Sequence, residues 1–144
     1  MSTIREIQDE IIEEFQMLEG DREAMLFYLM ELGNKMAPLD DQYKADDHLM
    51  KCCQSKVWIN SEYKDNRIYF NADSNTDITR GLISLLLRIL SGKTPDEIID
   101  ADLDFVEKIG MGQIIGSQRS NGFAAMIKQI KMYALGYKAK VTMK

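Results

Sequence analysis

The chain has 144 residues, of which 45% are hydrophobic and 28% charged, and its formal net charge is −5. These values predict one soluble domain over residues 1–144, large enough to bury a core without disulfides or a structural metal. They argue against a nucleic-acid partner, which would need a basic surface, and against membrane spans, which need roughly 20 consecutive apolar residues. The acidic start of the chain lacks the regions of a signal peptide, so we expect a cytoplasmic protein.

The first predicted helix has apolar residues at helical spacing from Ile4 to Leu18. Thr3 and Glu6 form a capping-box pattern at its start, and Gly20 lies where a helix would end. Its outer face is acidic, and we interpret it as a solvated surface, with docking of a basic partner as the alternative. The acidic residues are Glu6, Asp9, Glu10, Glu13 and Glu14.

A second helix is predicted from Asp21, as its N-cap, to about Leu32, where Gly33 begins a run of helix breakers. A polar loop follows over residues 40–47. The alternation around Val57 and Ile59, and again from Arg67 to Asn71, predicts two strands.

The dipeptide Asp65-Asn66 lies between these strands, and it predicts a hairpin turn. A third strand from His48 to Met50 is weakly signalled.

The rest of the chain is predicted to be helical. An apolar stripe from Ile78 to Ile89 ends at Ser91-Gly92, and Thr94 to Glu97 is a compact helix start with a capping-box pattern. A short helix is predicted over Leu103 to Ile109, and a last one from about Asn121 to Leu135, ended by Gly136. The fold class is therefore α+β, with helices packed on one face of a small antiparallel sheet of about three strands.

The residues that could react are few, namely the adjacent Cys52 and Cys53 and the single histidine, His48. A vicinal pair joins no distant segments, so in a reducing compartment we expect two free thiols. These three residues match no standard zinc spacing. A cysteine in a turn before a strand can stay accessible, and Lys51 and Lys56 would favour its nucleophilic thiolate. Inert packing is the alternative, and the residues alone leave both open.

The segment Cys53-Gln54-Ser55-x-Val57-Trp58 is similar to the Gly-Cys-Gln-Ser-x-Val-Trp signature of the SufE family of sulfur acceptors. Four further segments resemble family elements and follow in the family's order. They are Phe70–Ser74, Gly81–Ile83, Ser91–Ile98 and Arg119–Met126.

This resemblance implies a SufE/IscU-like fold and the function of a persulfide carrier. Cys53 would take sulfur from a PLP-dependent cysteine desulfurase, stimulate that enzyme and pass the sulfur on to an iron–sulfur scaffold. Such a carrier is not an enzyme, although it performs one covalent transfer step, and it needs no cofactor or metal of its own. The oligomeric state stays open, with a homodimer as one option.

Four residues are expected to support the site by this resemblance: Gln54, Ser55, Asp73 and Arg119. Arg119 could pair with an acid such as Asp73 or stabilise the thiolate, while a structural salt bridge is the alternative. Asp73 could equally cap a helix.

The chain also departs from the family pattern. Cys52 stands where the family has glycine, and Gln118 stands where it has serine. Whether Cys52 takes part in transfer stays open. His48 could act as a base, but we favour an exposed or packed side chain, and we expect Trp58 to anchor the core.

Two other functions compete with the carrier. An iron–sulfur scaffold has a related fold but needs about three ligands, which two adjacent cysteines supply poorly. A thiol redox sensor would use a strained, easily reduced Cys52–Cys53 disulfide.

Overall fold

The computed structural model describes residues 2–44, 49–50 and 55–142. These residues form the predicted α+β fold. Its elements are α1 (Ile4–Gln16), α2 (Arg22–Lys35), a 3₁₀ turn (Asp41–Tyr43), β1 (Leu49–Met50), β2 (Val57–Lys64), β3 (Arg67–Ser74), α3 (Asp77–Leu90), α4 (Pro95–Asp100), α5 (Phe105–Ile109), α6 (Met111–Ile115) and α7 (Ser117–Thr142). No helix in these ranges is both long and apolar enough to cross a membrane.

The strands form one antiparallel sheet in the order β1-β2-β3. β2 and β3 are the predicted hairpin, and its turn residues Asp65 and Asn66 both have positive φ, as a tight two-residue turn requires. β1 pairs with the start of β2 through Leu49 and Met50, which confirms that part of the weakly signalled third strand. The remaining residue of that prediction, His48, lies outside the described residues.

The core lies between one face of this hairpin and the helices. The inward positions of β2 and β3 include Val57, Ile59, Ile68, Phe70 and Ala72, all of them buried. α3 packs on β3. α7 reaches the same face further along, where the ring of Tyr137 stacks on Tyr63 with the ring centroids 5.3 Å apart.

The helix starts follow local sequence signals. Thr3 and Thr94 both form the predicted capping boxes, and the Asp21 side chain accepts a hydrogen bond from the amide of Ala24. These bonds satisfy amide groups that have no partner inside the helix. The three predicted caps are therefore confirmed.

Two predicted helix ends differ from the structure, and both had been predicted from a glycine. α2 continues through Gly33 to Lys35, because Gly33 faces α3, where an added Cβ would lie only 2.6 Å from the carbonyl oxygen of Asp77. α7 likewise continues through Gly136, so the predicted stop there is wrong. Packing of Tyr137 on the hairpin outweighs the roughly 1 kcal/mol that an interior glycine costs a helix.

Trp58 does not anchor the core, so that prediction is also wrong. Its neighbours Val57 and Ile59 point inward, and the alternation of a strand therefore puts Trp58 on the other face of the sheet. There it is half-buried, with the Lys44 ammonium 5.8 Å from its ring centroid.

Part of the acidic face of α1 is used inside the molecule. Arg88 of α3 pairs with Glu14 at 2.6 Å and with Glu10 at 3.3 Å. Arg5 similarly bridges Asp9 and Asp104. The face is therefore partly neutralised by neighbouring cations as well as solvated.

Candidate functional site

The residues that are predicted to react, Cys53, Cys52 and His48, lie outside the described part of the chain. So does Gln54, which is expected to support the site. Ser55 lies immediately before β2, so the surroundings of Ser55 define the place where the motif joins the fold.

A pocket of about 660 Å³ opens beside Ser55. Its apolar lining comes from Leu82 of α3, Ile115 of α6 and Met126 of α7. Its polar rim combines Thr79 with the first turns of α7, including Gln118, Arg119 and Asn121. The volume lies in the range of ordinary ligand pockets.

Hydroxyl groups fix Ser55 at the edge of this pocket. The Oγ of Ser55 is 3.2 Å from the Oγ1 of Thr76 and 3.5 Å from that of Thr79, and Thr76 in turn donates to Thr79 at 2.8 Å. Next to them, the amide of Lys56 donates to the Asn75 side chain at 2.9 Å. Thr76, Thr79 and Asn75 were missed by the sequence analysis, because their spacing resembles an ordinary helix start.

Asp73 is a buried carboxylate, with 3% of its surface exposed. Its oxygens accept hydrogen bonds from the amides of Ser74 (2.8 Å) and Leu39 (3.2 Å). It also pairs with Arg80 at 2.9 Å and Lys44 at 3.4 Å.

These contacts keep Asp73 charged. Burial by itself would raise the pKa of Asp73, but the amide hydrogen bonds and the two cations outweigh it and hold the pKa below its ordinary value of 3.8. The carboxylate thereby ties the segment before β1 to the junction of β3 and α3.

Arg119 lies in the first turn of α7 and is exposed at the rim of the pocket. Its guanidinium donates to the carbonyl oxygen of Ile115 at 3.4 Å. Among the described residues, Asp73 pairs with Arg80 and Lys44, so the option of an Asp73–Arg119 pair is not realised. Asp73 does not cap α3 either, because the N-cap position is Thr76.

Arg119 and Ser55 thus line one pocket, whereas Asp73 belongs to a neighbouring ionic cluster. We call this second group the Asp73 cluster and define it as Asp73, Arg80, Lys44 and the amide of Leu39. It lies on the chain segments that flank the sequence motif on both sides.

A solved structure supports the fold. The solution structure of a hypothetical protein from Thermus thermophilus matches with a TM-score of 0.73, over 90% of this chain and 94% of that one. The two sequences are 14% identical, so this likeness concerns the fold alone.

Two curated relatives are closer in sequence. The chain is 33% identical to SufE-like protein 1, chloroplastic/mitochondrial, of Arabidopsis thaliana over 91% of its own length, but it spans only 35% of that longer protein. It is 34% identical to an uncharacterized SufE-like protein of Rhizobium meliloti (strain 1021), over 89% of this chain and 94% of the relative.

Residues 9–134 match the family described as SufE, an Fe-S metabolism associated domain. This match covers most of the chain, includes Ser55, Asp73 and Arg119, and agrees with the resemblance in the cysteine motif. The chain belongs to the SufE family.

Proposed function

We propose that the protein carries sulfur from a PLP-dependent cysteine desulfurase to iron–sulfur cluster assembly, with Cys53 as the acceptor. The observation that supports this most directly is the pocket beside Ser55, at the point where the cysteine motif joins β2. Covalent geometry keeps the Cα of Cys53 within about 7 Å of the Cα of Ser55, whatever the path between them. The reaction needs free thiols, which fits a cytoplasmic location.

The transfer step is thiol–persulfide exchange. The Cys53 thiolate attacks the outer sulfur of the donor's persulfide, a new S–S bond forms on Cys53, and the bond in the donor breaks. The donor cysteine leaves as a thiolate and is free for the next turnover, which explains how a carrier stimulates a desulfurase. Sulfur is neither oxidised nor reduced overall, so the carrier needs no metal or cofactor.

The pocket can assist this exchange in two ways. Leu82, Ile115 and Met126 offer an apolar wall that excludes water and oxidants from the exchanging sulfurs. Arg119 places a cation at the rim, where it favours the thiolate over the thiol. We propose that the Cys53 thiol is protected from bulky reagents in the free protein and becomes accessible when the desulfurase docks.

The neighbours of the acceptor have secondary roles in this proposal. Gln54 and Ser55 set the approach of the motif to β2, and the Asp73 cluster holds the flanking segments. Cys52 is a passive neighbour or a secondary site for sulfur.

The test is a transfer assay. The protein is incubated with candidate desulfurases and cysteine, and intact-mass spectrometry looks for added sulfur. A carrier gains the mass of one sulfur atom, and dithiothreitol removes it. A scaffold would instead become coloured and bind iron, and a redox sensor would lose two hydrogens under mild oxidation without any desulfurase.

A further inference from the structure

A second concave surface lies on α7, away from the Ser55 pocket. It is an apolar groove of about 400 Å³ between α4 and α7. We call it the α7 groove and define it by Ile99, Ile127, Met132, Leu135, Lys128 and Lys131. Met132 and Leu135 leave 55% and 58% of their surface exposed, and because both line this groove they form one exposed apolar patch.

The charge of α7 is opposite to that of the rest of the protein. Ser117–Thr142 contains five cations and no carboxylate, although the chain as a whole carries −5, so the remaining residues together carry −10. Lys128 and Lys131 lie in the α7 groove itself, and none of the described residues that line it is acidic. The ammonium of Lys131 donates to the carbonyl oxygens of Ile99 and Ala101, which fixes one positive charge at the edge of the groove.

The α7 groove and the Ser55 pocket use different sides of the same helix. Successive residues of an α-helix are turned by about 100°. Lys131 and Leu135 therefore lie on roughly the opposite side of α7 from Gly122 and Met126, which line the pocket. A partner in the groove would leave the pocket open.

We propose that the α7 groove binds an acidic amphipathic helix of a second partner protein, different from the desulfurase. Apolar side chains of such a helix would cover Ile127, Met132 and Leu135, while its carboxylates would meet Lys128 and Lys131. The groove follows α7 from Ala124 to Leu135, about 16 Å of helix, which suits three turns of a partner helix. Simultaneous binding of both partners rests on the proposed sulfur-carrier function. The docking surface itself does not depend on that function.

The test is a binding titration with a defined probe. The probe is a fluorescein-labelled 18-residue helical peptide with leucine along one stripe and glutamate elsewhere, and binding is followed by fluorescence anisotropy. We expect Leu135→Ser to weaken binding roughly tenfold, because it removes a large apolar contact. We expect Lys128→Glu to weaken it about fivefold, and added salt to reduce this difference. Both side chains are exposed, so both variants should fold.

Matched control variants distinguish binding in the groove from nonspecific binding of the peptide. Met17→Ser changes a methionine that is 80% exposed at the end of α1, and Lys64→Glu makes the same charge change in the β-hairpin. Neither control should alter binding. The proposal is overturned if groove and control variants weaken binding equally, or if the groove variants leave it unchanged.

Sedimentation distinguishes a second copy of this chain from a different partner. The exposed Phe27, with Glu23 and Glu31 one turn away on either side, makes α2 the rival occupant of the groove. A dimer that dissociates in Leu135→Ser would overturn the proposal. Adding a desulfurase that loads the protein with sulfur should leave the affinity for the peptide unchanged. If the protein is loaded with sulfur but does not bind the peptide, this inference is wrong and the carrier function still stands.

Discussion

Two contacts of different kinds hold the chain before the cysteine motif against α3. The first is apolar, where α2 packs on α3 through Gly33 and Gly81 with the backbones nearly touching. The second is ionic, where the Asp73 cluster ties Leu39 and Lys44 to the start of α3. The apolar contact acts at every pH, whereas the ionic one lasts only while Asp73 is charged. We infer that the first contact stabilises the fold, whereas the second holds the chain segments that flank the cysteine motif.

The largest effect is expected from Gly81→Ala. An added Cβ would lie 2.0 Å from the carbonyl oxygen of Leu29, and backbone on both sides leaves no simple relief. We expect a loss of about 3 kcal/mol in the free energy of unfolding, measured with urea. Gly112→Ala is the control, because its nearest contact would be an ordinary 3.5 Å. Equal losses in both variants would contradict the close α2–α3 contact.

A slightly smaller effect is expected from Asp73→Ala. It leaves the Arg80 cation, 20% exposed, and two buried amides without their acceptor. We expect a loss of about 2–3 kcal/mol in urea unfolding. Asp96→Asn removes an exposed partner of Lys138 and should cost much less, because exposed ion pairs contribute little to stability. A loss from Asp73→Ala as small as this control would show that the Asp73 cluster does not stabilise the fold.

The pH dependence separates the two contacts. Because the pKa of Asp73 is lowered in the folded state, its contribution is complete above the unfolded value of about 3.8 and is lost as pH falls below it. The difference in stability between wild type and Asp73→Asn should therefore stay constant from neutral pH down to about 3.8 and shrink as the pH falls further. The deficit of Gly81→Ala should stay constant over the same range. A constant Asp73→Asn deficit would contradict the lowered pKa.

The smallest expected effect is on the reactivity of Cys53. In a Cys52→Ser background, Cys53 should react slowly with a bulky maleimide, and Asp73→Asn should speed this reaction without unfolding the protein. Gly81→Ala, compared under conditions where it stays folded, should change the rate less. If Cys53 reacts like free cysteine in the parent protein, the protected resting position is wrong, although the carrier function is not.

The parts of the fold that local chemistry decides could be predicted from the sequence. The capping boxes at Thr3 and Thr94 and the Asp65-Asn66 turn each depend on residues within one turn of one another. Gly33 and Gly136 could not be predicted in the same way, because partners far along the chain decide whether a glycine ends a helix or lets two helices meet.

The candidate site shows the same division. The cysteine motif predicted a turn before a strand, and Ser55 lies immediately before β2, because this part of the prediction depends only on local sequence. The partners of Asp73 could not be inferred, because the amide of Leu39 lies 34 residues away and Arg80 reads as an ordinary surface residue of an amphipathic helix. The hydroxyl contacts of Ser55 with Thr76 and Thr79 likewise exist only after the sheet and α3 have packed.

Sulfur loading of paired cysteine variants tests the central proposal most directly. Wild type, Cys53→Ser and Cys52→Ser are each incubated with an active desulfurase and cysteine, and intact mass is followed with time. We predict that Cys53→Ser gains no sulfur, while Cys52→Ser gains one sulfur atom at close to the wild-type rate. A Cys53→Ser protein that still gains sulfur at the normal rate would contradict the assignment of Cys53 as the acceptor.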